Sequence, residues 1–193
     1  MSQFIMLGKI PASPEERKQL LAQKAAEDDL RAQMGLTQVQ KRVVDLLHDK
    51  GYSVEEIEVN RDFSVELPNA SFMVKADICL KLEGRVFCII KCAMSSPESW
   101  ERHAVAFGRV AEPYVIPYAV VTDSEEARLM NVAAGKPAGE GLEAIPSREE
   151  ALEMAKNMVP AEYPAEKRER EKLILHAFDA ITCSSPLADD KEK

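Results

Sequence analysis

Apolar residues recur along this chain with two different periods, and the changes from one period to the other mark out its elements. Residues 13–34 carry a sparse helical pattern. Ser13 is in place as N-cap, Pro14 at the first helical position and acids in the first turn, with Gly35 as the expected stop. The apolar positions of this helix (Leu20, Leu21, Ala25, Leu30, Met34) form only a thin stripe. Residues 37–50 predict a second, better helix, capped by Thr37, with a stripe of Val39, Val43, Leu46 and Leu47 and a stop at Gly51. The period then shortens. Residues 55–68, 71–82 and 85–94 read as strands, the last two joined as a hairpin around Glu83-Gly84. A helix over 97–110 follows, with Pro97 in its first turn. The short run 115–123 is apolar throughout, as in a strand buried on both faces. A further strand leads into a turn at Gly135-Lys136, and two helices close the chain, the second with an apolar stripe of Leu173, Ile174, Ala177, Phe178 and Ile181.

Strands interleaved with helices in this order predict an α/β domain with a mixed central sheet flanked by helices. Composition agrees: 193 residues, 46% hydrophobic and 30% charged, suit one domain with a proper core. No apolar run approaches the ~20 residues of a membrane span. The first 18 residues lack the pattern of a secretory signal, so a cytoplasmic location is expected, with no membrane partner. The four cysteines (Cys79, Cys88, Cys92, Cys183) make a poor disulfide framework and are expected to be reduced. A net charge of −8 opposes a broad electrostatic hold on phosphate backbones.

The hairpin carries the candidate chemistry. A three-residue turn at 82–84 would set Lys81 opposite Arg85 and Asp77 opposite Ile89. Alternation would then place Asp77, Lys91 and Ala93 on one face at the end of the sheet. An aspartate inside the apolar run "KADICLKL" requires a partner. It either pairs with Lys91 or Lys75, or serves as a metal-ligand carboxylate. A weaker reading groups Cys79, Cys92 and His103 as ligands.

The segments "GYSVEEIEV", "KADICLKLEGRVFCIIKCAM", "SPESWERHAVAFGRV" and "IPYAVVTDSEEARLMNVAAGK", in that order, resemble the N-terminal nuclease domain of type I restriction enzyme R subunits, a branch of the PD-(D/E)xK restriction-endonuclease-like superfamily. The resemblance runs from about Val39 to Ile145. It implies a restriction-endonuclease-like fold, here with an N-terminal helical extension, in which Asp77 stands at the family's aspartate position. It also implies a Glu-Cys-Lys at the end of the second hairpin strand, and this chain has Lys91-Cys92-Ala93 there. His103 and Phe107 stand where related nucleases carry Gln and Tyr.

Replacing a metal-binding carboxylate with an ammonium turns attraction into repulsion. At ~4 Å and an effective dielectric of ~20, a unit charge against a dication amounts to about 8 kcal/mol before solvation offsets it. The expected function is therefore non-catalytic, a domain that acts by binding protein or nucleic acid, with no cofactor. Acidity favours a protein partner or self-association, as a homodimer, over DNA. The alternative is a Mg-dependent DNA endonuclease with relocated residues: Asp77 would ligate the metal, Lys91 would take the lysine role, and Glu66, Glu58 or Glu101 would supply the missing acid. The expected organisation is an arm and helix over 1–36, the nuclease-like domain over 37–160, a C-terminal helix over 161–183 and a disordered tail over 184–193.

Overall fold

The structure is a computed structural model that describes residues 13–68, 70–94, 96–156 and 163–182. The arm before residue 13, Cys183 and the 184–193 tail lie outside the described residues. Helix α1 (Pro14–Asp49) leads through a short 3-10 turn into β1 (Ile57–Leu67), β2 (Ala70–Leu82) and β3 (Arg85–Cys92). A second 3-10 turn (Pro97–Trp100) opens α2 (Glu101–Val110), followed by β4 (Tyr118–Thr122), β5 (Ala127–Asn131) and β6 (Lys136–Glu140). Helices α3 (Arg148–Lys156) and α4 (Ala165–Thr182) complete the described chain.

The six strands form one sheet in the order β1-β2-β3-β4-β5-β6. Only β3 and β4 run parallel, because α2 carries the chain back between them; every other pair is antiparallel. Each face of the sheet has its own core. Helices α2 and α4 cover one face with Cys79, Ile89, Ala93, Phe107, Val121 and Leu175. Helices α1 and α3 cover the other with Val43, Leu47, Ile78, Leu80, Ile90 and Val120. Burial on both faces explains why β3 and β4 are apolar runs without alternation. This mixed sheet, flanked by helices and preceded by an N-terminal helical element, is consistent with a nuclease-like fold.

Several local expectations need correction. The two helices expected around a stop at Gly35 are one continuous helix of 36 residues, with Thr37 in its interior rather than at a cap. A glycine costs a helix only about 1 kcal/mol relative to alanine, and good helix formers flank this one on both sides. Gly51 does end the helix. At φ 91° it lets Tyr52 N–H reach Leu47 O (3.1 Å) and its own N–H reach His48 O (2.9 Å), the paired bonds of a Schellman turn.

The β2–β3 turn has two residues, not three. Glu83 and Gly84 both adopt positive φ (51° and 79°), and Leu82 pairs with Arg85. That geometry matches the strand twist, but alone it would have moved Asp77 and Lys91 to opposite faces. A bulge restores the parity: Lys81 pairs with Val86 and Leu80 with Cys88, leaving Phe87 as the extra residue. Ile78 then faces Ile90, so Asp77 comes to lie across from Lys91 rather than Ile89.

Strand β6 had no sequence signal. "KPAGE" is an edge strand, the setting in which Pro137 costs no ladder hydrogen bond. The stripe expected on α4 is also rotated. Leu173 and Ala177 are exposed, whereas Glu171 and Leu175 are buried and Ile174 and Phe178 half-buried; the Ile181 side chain lies outside the described residues. Glu171 is drawn inward by two arginines of α2, and the helix turns with it.

Candidate functional site

The site lies where the parallel pair β3/β4 ends. One row of side chains crosses the sheet there on its α2/α4 face: Asp77 on β2, Lys91 on β3, Val121 on β4, Arg128 on β5 and Glu140 on β6. Lys91 Nζ is 3.1 Å from Asp77 Oδ2. The same oxygen accepts the backbone N–H of Cys92 at 2.8 Å. Both side chains are about one-fifth exposed (23% and 19%), enough to sit at a rim without being swamped by water. Arg128 forms a second ion pair with Glu140 at the far end of the row.

The backbone changes direction at Asp77. Ala76 faces the α2/α4 core, and Ile78, two residues on, faces the α1/α3 core, so the alternation of β2 breaks between them. Across the ladder Asn60 holds a left-handed φ of 57°, which asparagine tolerates better than most residues. Gln40 of α1 braces the bend, its amide donating to Asp77 O (2.6 Å) and to Asn60 Oδ1 (3.2 Å). Neither Gln40 nor Asn60 emerged from the sequence, where an exposed Asn in a strand was the one available signal.

The 3-10 turn at Pro97–Trp100 lies over the row. The Trp100 ring stands 5.3 Å from Lys91 Nζ, a cation–π arrangement. Glu98 and Glu101 take Arg128 at 2.6 and 3.8 Å. His103, on the next turn of helix, is 4% exposed and ringed by Trp100, Phe107 and Phe178. Burial, with Lys91 adding a smaller push, lowers its pKa to about 4, so the imidazole is neutral at pH 7. Its Nδ1 has no hydrogen-bond partner among the described residues.

Of the alternative acids, Glu66 lies well away along the sheet, and Glu58 and Glu101 pair with cations other than Lys91. Glu66 pairs with Ser71, six residues along β2 from Asp77, a span of about 20 Å at the rise of a strand. Glu58 is held by Lys81 (3.3 Å) and Arg61 (3.5 Å), and Glu101 by Arg128. The suggested set Cys79, Cys92 and His103 does not converge, because Cys79 and Cys92 belong to cores on opposite faces of the sheet. Burial pushes both thiols up to about 12, which makes them poor ligands and poor nucleophiles. No group of three or more His, Cys, Asp or Glu side chains placed to hold a metal ion occurs among the described residues. Ala93 is buried, its N–H bonded to Thr122 O at 2.9 Å.

Residues 38–146, more than half of the chain, match the family described as Type I restriction enzyme R protein N terminus (HSDR_N). The chain belongs to this family. The matched region of this R-protein N-terminal domain runs from the second half of α1 to the residues before α3. It contains the whole sheet and every residue of the cross-sheet row. Helix α4, which packs on α2 beside the row, lies outside it. No curated protein and no solved structure matches the chain. None of the described helices is long and apolar enough to cross a membrane.

Proposed function

We propose that this R-protein N-terminal domain is a non-catalytic, pseudo-nuclease member of the PD-(D/E)xK group that acts by binding. One observation carries the reading: Lys91 stands across from Asp77 and pairs with it at 3.1 Å, where a nuclease would use a second carboxylate. The donor set does not fit a divalent cation. Magnesium takes hard oxygen ligands from one or two carboxylates, and Asp77 already holds an ammonium and a backbone N–H, while Glu98, Glu101 and Glu140 are taken by Arg128.

The partner we propose is a protein, or a second copy of this chain joined through the first half of α1. The rim supports a basic protein surface over a phosphate backbone. Asp123, Glu125 and Glu126 crowd the turn after β4, Glu98 and Glu140 flank Arg128, and the whole chain carries −8.

Calorimetry with Mn²⁺ tests the proposal on the parent and on the double variant Lys91→Glu with Ala93→Lys. The parent is expected to give no binding heat. The double variant is expected to bind, because a second hard ligand now converges beside Asp77. Tight binding by the parent that disappears on Asp77→Ala would overturn the reading in favour of a metal-dependent nuclease with a relocated acid.

A further inference from the structure

Helix α4 is fastened to α2, to the turn before it and to β2 by two kinds of contact. At its N-terminal half the fastening is polar. Glu171, 4% exposed, lies between Arg102 (2.6 Å) and Arg109 (2.8 Å) and accepts the Tyr163 hydroxyl at 3.1 Å. Burial alone would raise the Glu171 pKa, but the two guanidiniums outweigh it and the net direction is downward. Arg168 donates to the carbonyls of Val110, Glu112 and Pro113 where α2 ends. At its C-terminal half the fastening is aromatic. Phe178 meets His103 at 5.5 Å and Trp100 at 6.1 Å between ring centroids, and His176 meets Phe72 at 4.9 Å. Leu175 is the one fully buried apolar side chain among the described positions of α4.

These contacts lead to the sheet end. Phe178 seats Trp100, and Trp100 in turn caps the ammonium of Lys91. From this we propose that α4 is a strap whose docking controls access to the Asp77–Lys91 end of the sheet. The inference rests on the reading of that end as a binding surface, and it names the element that regulates it. With α4 docked, Trp100 is held over Lys91 and the cation faces a ring. With α4 lifted, Trp100 loses its contact with Phe178 while keeping the one with His103, Glu98 and Glu101 still hold the 97–101 turn to Arg128, and Lys91 opens to a partner. Among its described positions the strap combines one fully buried leucine with a charged latch, an arrangement that can release without dismantling the sheet. A partner that competes for the α2 face, or draws Glu171 off its arginines, would open the site.

Acetylation of the native full chain with acetic anhydride, read lysine by lysine by mass spectrometry, tests the coupling. Lys41, exposed on α1, serves as the reference. Phe178→Ala is expected to raise the rate at Lys91 about five-fold relative to Lys41, the factor that loss of one ordinary cation–π contact allows. Glu171→Gln, which cuts the latch at the other end, is expected to do the same. An unchanged Lys91 rate in both variants would overturn the proposal. Hydrogen exchange on the unaltered protein gives an independent reading should either variant fail to fold. Residues 97–101 and 165–178 are expected to open with the same free energy; an α4 that opens while 97–101 stays protected would overturn the strap. No partner takes part in either measurement, so the outcome stands apart from whether the sheet end binds one.

Discussion

Lys91 owes its behaviour to its neighbours. It shares the α2/α4 face with Ile89 and Ala93, it is the first residue of β3 that water can reach after five buried ones, and it meets an acid on one side and an indole on the other. His103 is the opposite case, a titratable group with rings from three elements packed round it and Lys91 nearby. Its pKa is about 4 folded against an ordinary 6.5, so the unfolded chain binds the extra proton between those values. The contribution of neutral His103 is therefore complete above pH ~6.5 and is lost as pH falls through ~4, a change of about 3 kcal/mol. Urea titrations should show the parent losing stability relative to His103→Phe across that window, with a constant gap above it. A gap independent of pH would mean that the fold leaves the imidazole titrating as it does in the unfolded chain. Ile90, 1% exposed in the α1/α3 core, reports on packing. Ile90→Ala is expected to cost about 2–5 kcal/mol in urea melts; a loss below about 1 kcal/mol would contradict its placement.

At the scale of elements, the hairpin shows how two deviations can cancel. A two-residue turn and a one-residue bulge each change which side chains share a face, and together they leave Asp77 and Lys91 on the same one. The turn was legible as Glu-Gly between apolar runs; the bulge at Phe87 was not, because a valine or a phenylalanine suits either face of a sheet buried on both sides. On α4 the same ambiguity turned the helix. Leu173 and Ile174 are equal candidates by composition, and the burial of Glu171 between Arg102 and Arg109 rotates Leu173 into solvent. A periodicity count treats every glutamate as outward-facing, so it cannot see an acid that two arginines hold inside.

For the whole molecule, the question is how many copies act together. Helix α1 spans 36 residues, about 54 Å at the rise of a helix, and among its described side chains Val43 and Leu47, near its C-terminal end, are buried. Leu21 is 62% exposed. A helix of this length gains most of its stability from packing, which motivates a homodimer joined through residues 14–34. Light scattering should give twice the chain mass for the full protein and the single mass for a version beginning at Gly35. Equal masses for the two would remove this segment from assembly.

The pattern of apolar residues was sufficient for the elements that depend on near neighbours: the three long strands, the hairpin at Glu83-Gly84, the buried β4, the glycine stop after Asp49 and the crossover helix. The family was legible too, because its strand and turn motifs keep their order along the chain. What the sequence left open were the choices made by residues far apart in the chain. Asp77 had Lys75 and Lys91 as equal partners until the bulge set one of them across the ladder. Glu66, Glu58 and Glu101 were all open as substitutes, Glu66 first among them, and only register and the nearby cations show what each one meets. Arg128 and Glu140 joined the row only because β5 and β6 add to the edge of the sheet. Local periodicity records which face a residue wants. Which charges meet on that face is decided by register, twist and the helices packed above, and those exist only in the assembled fold.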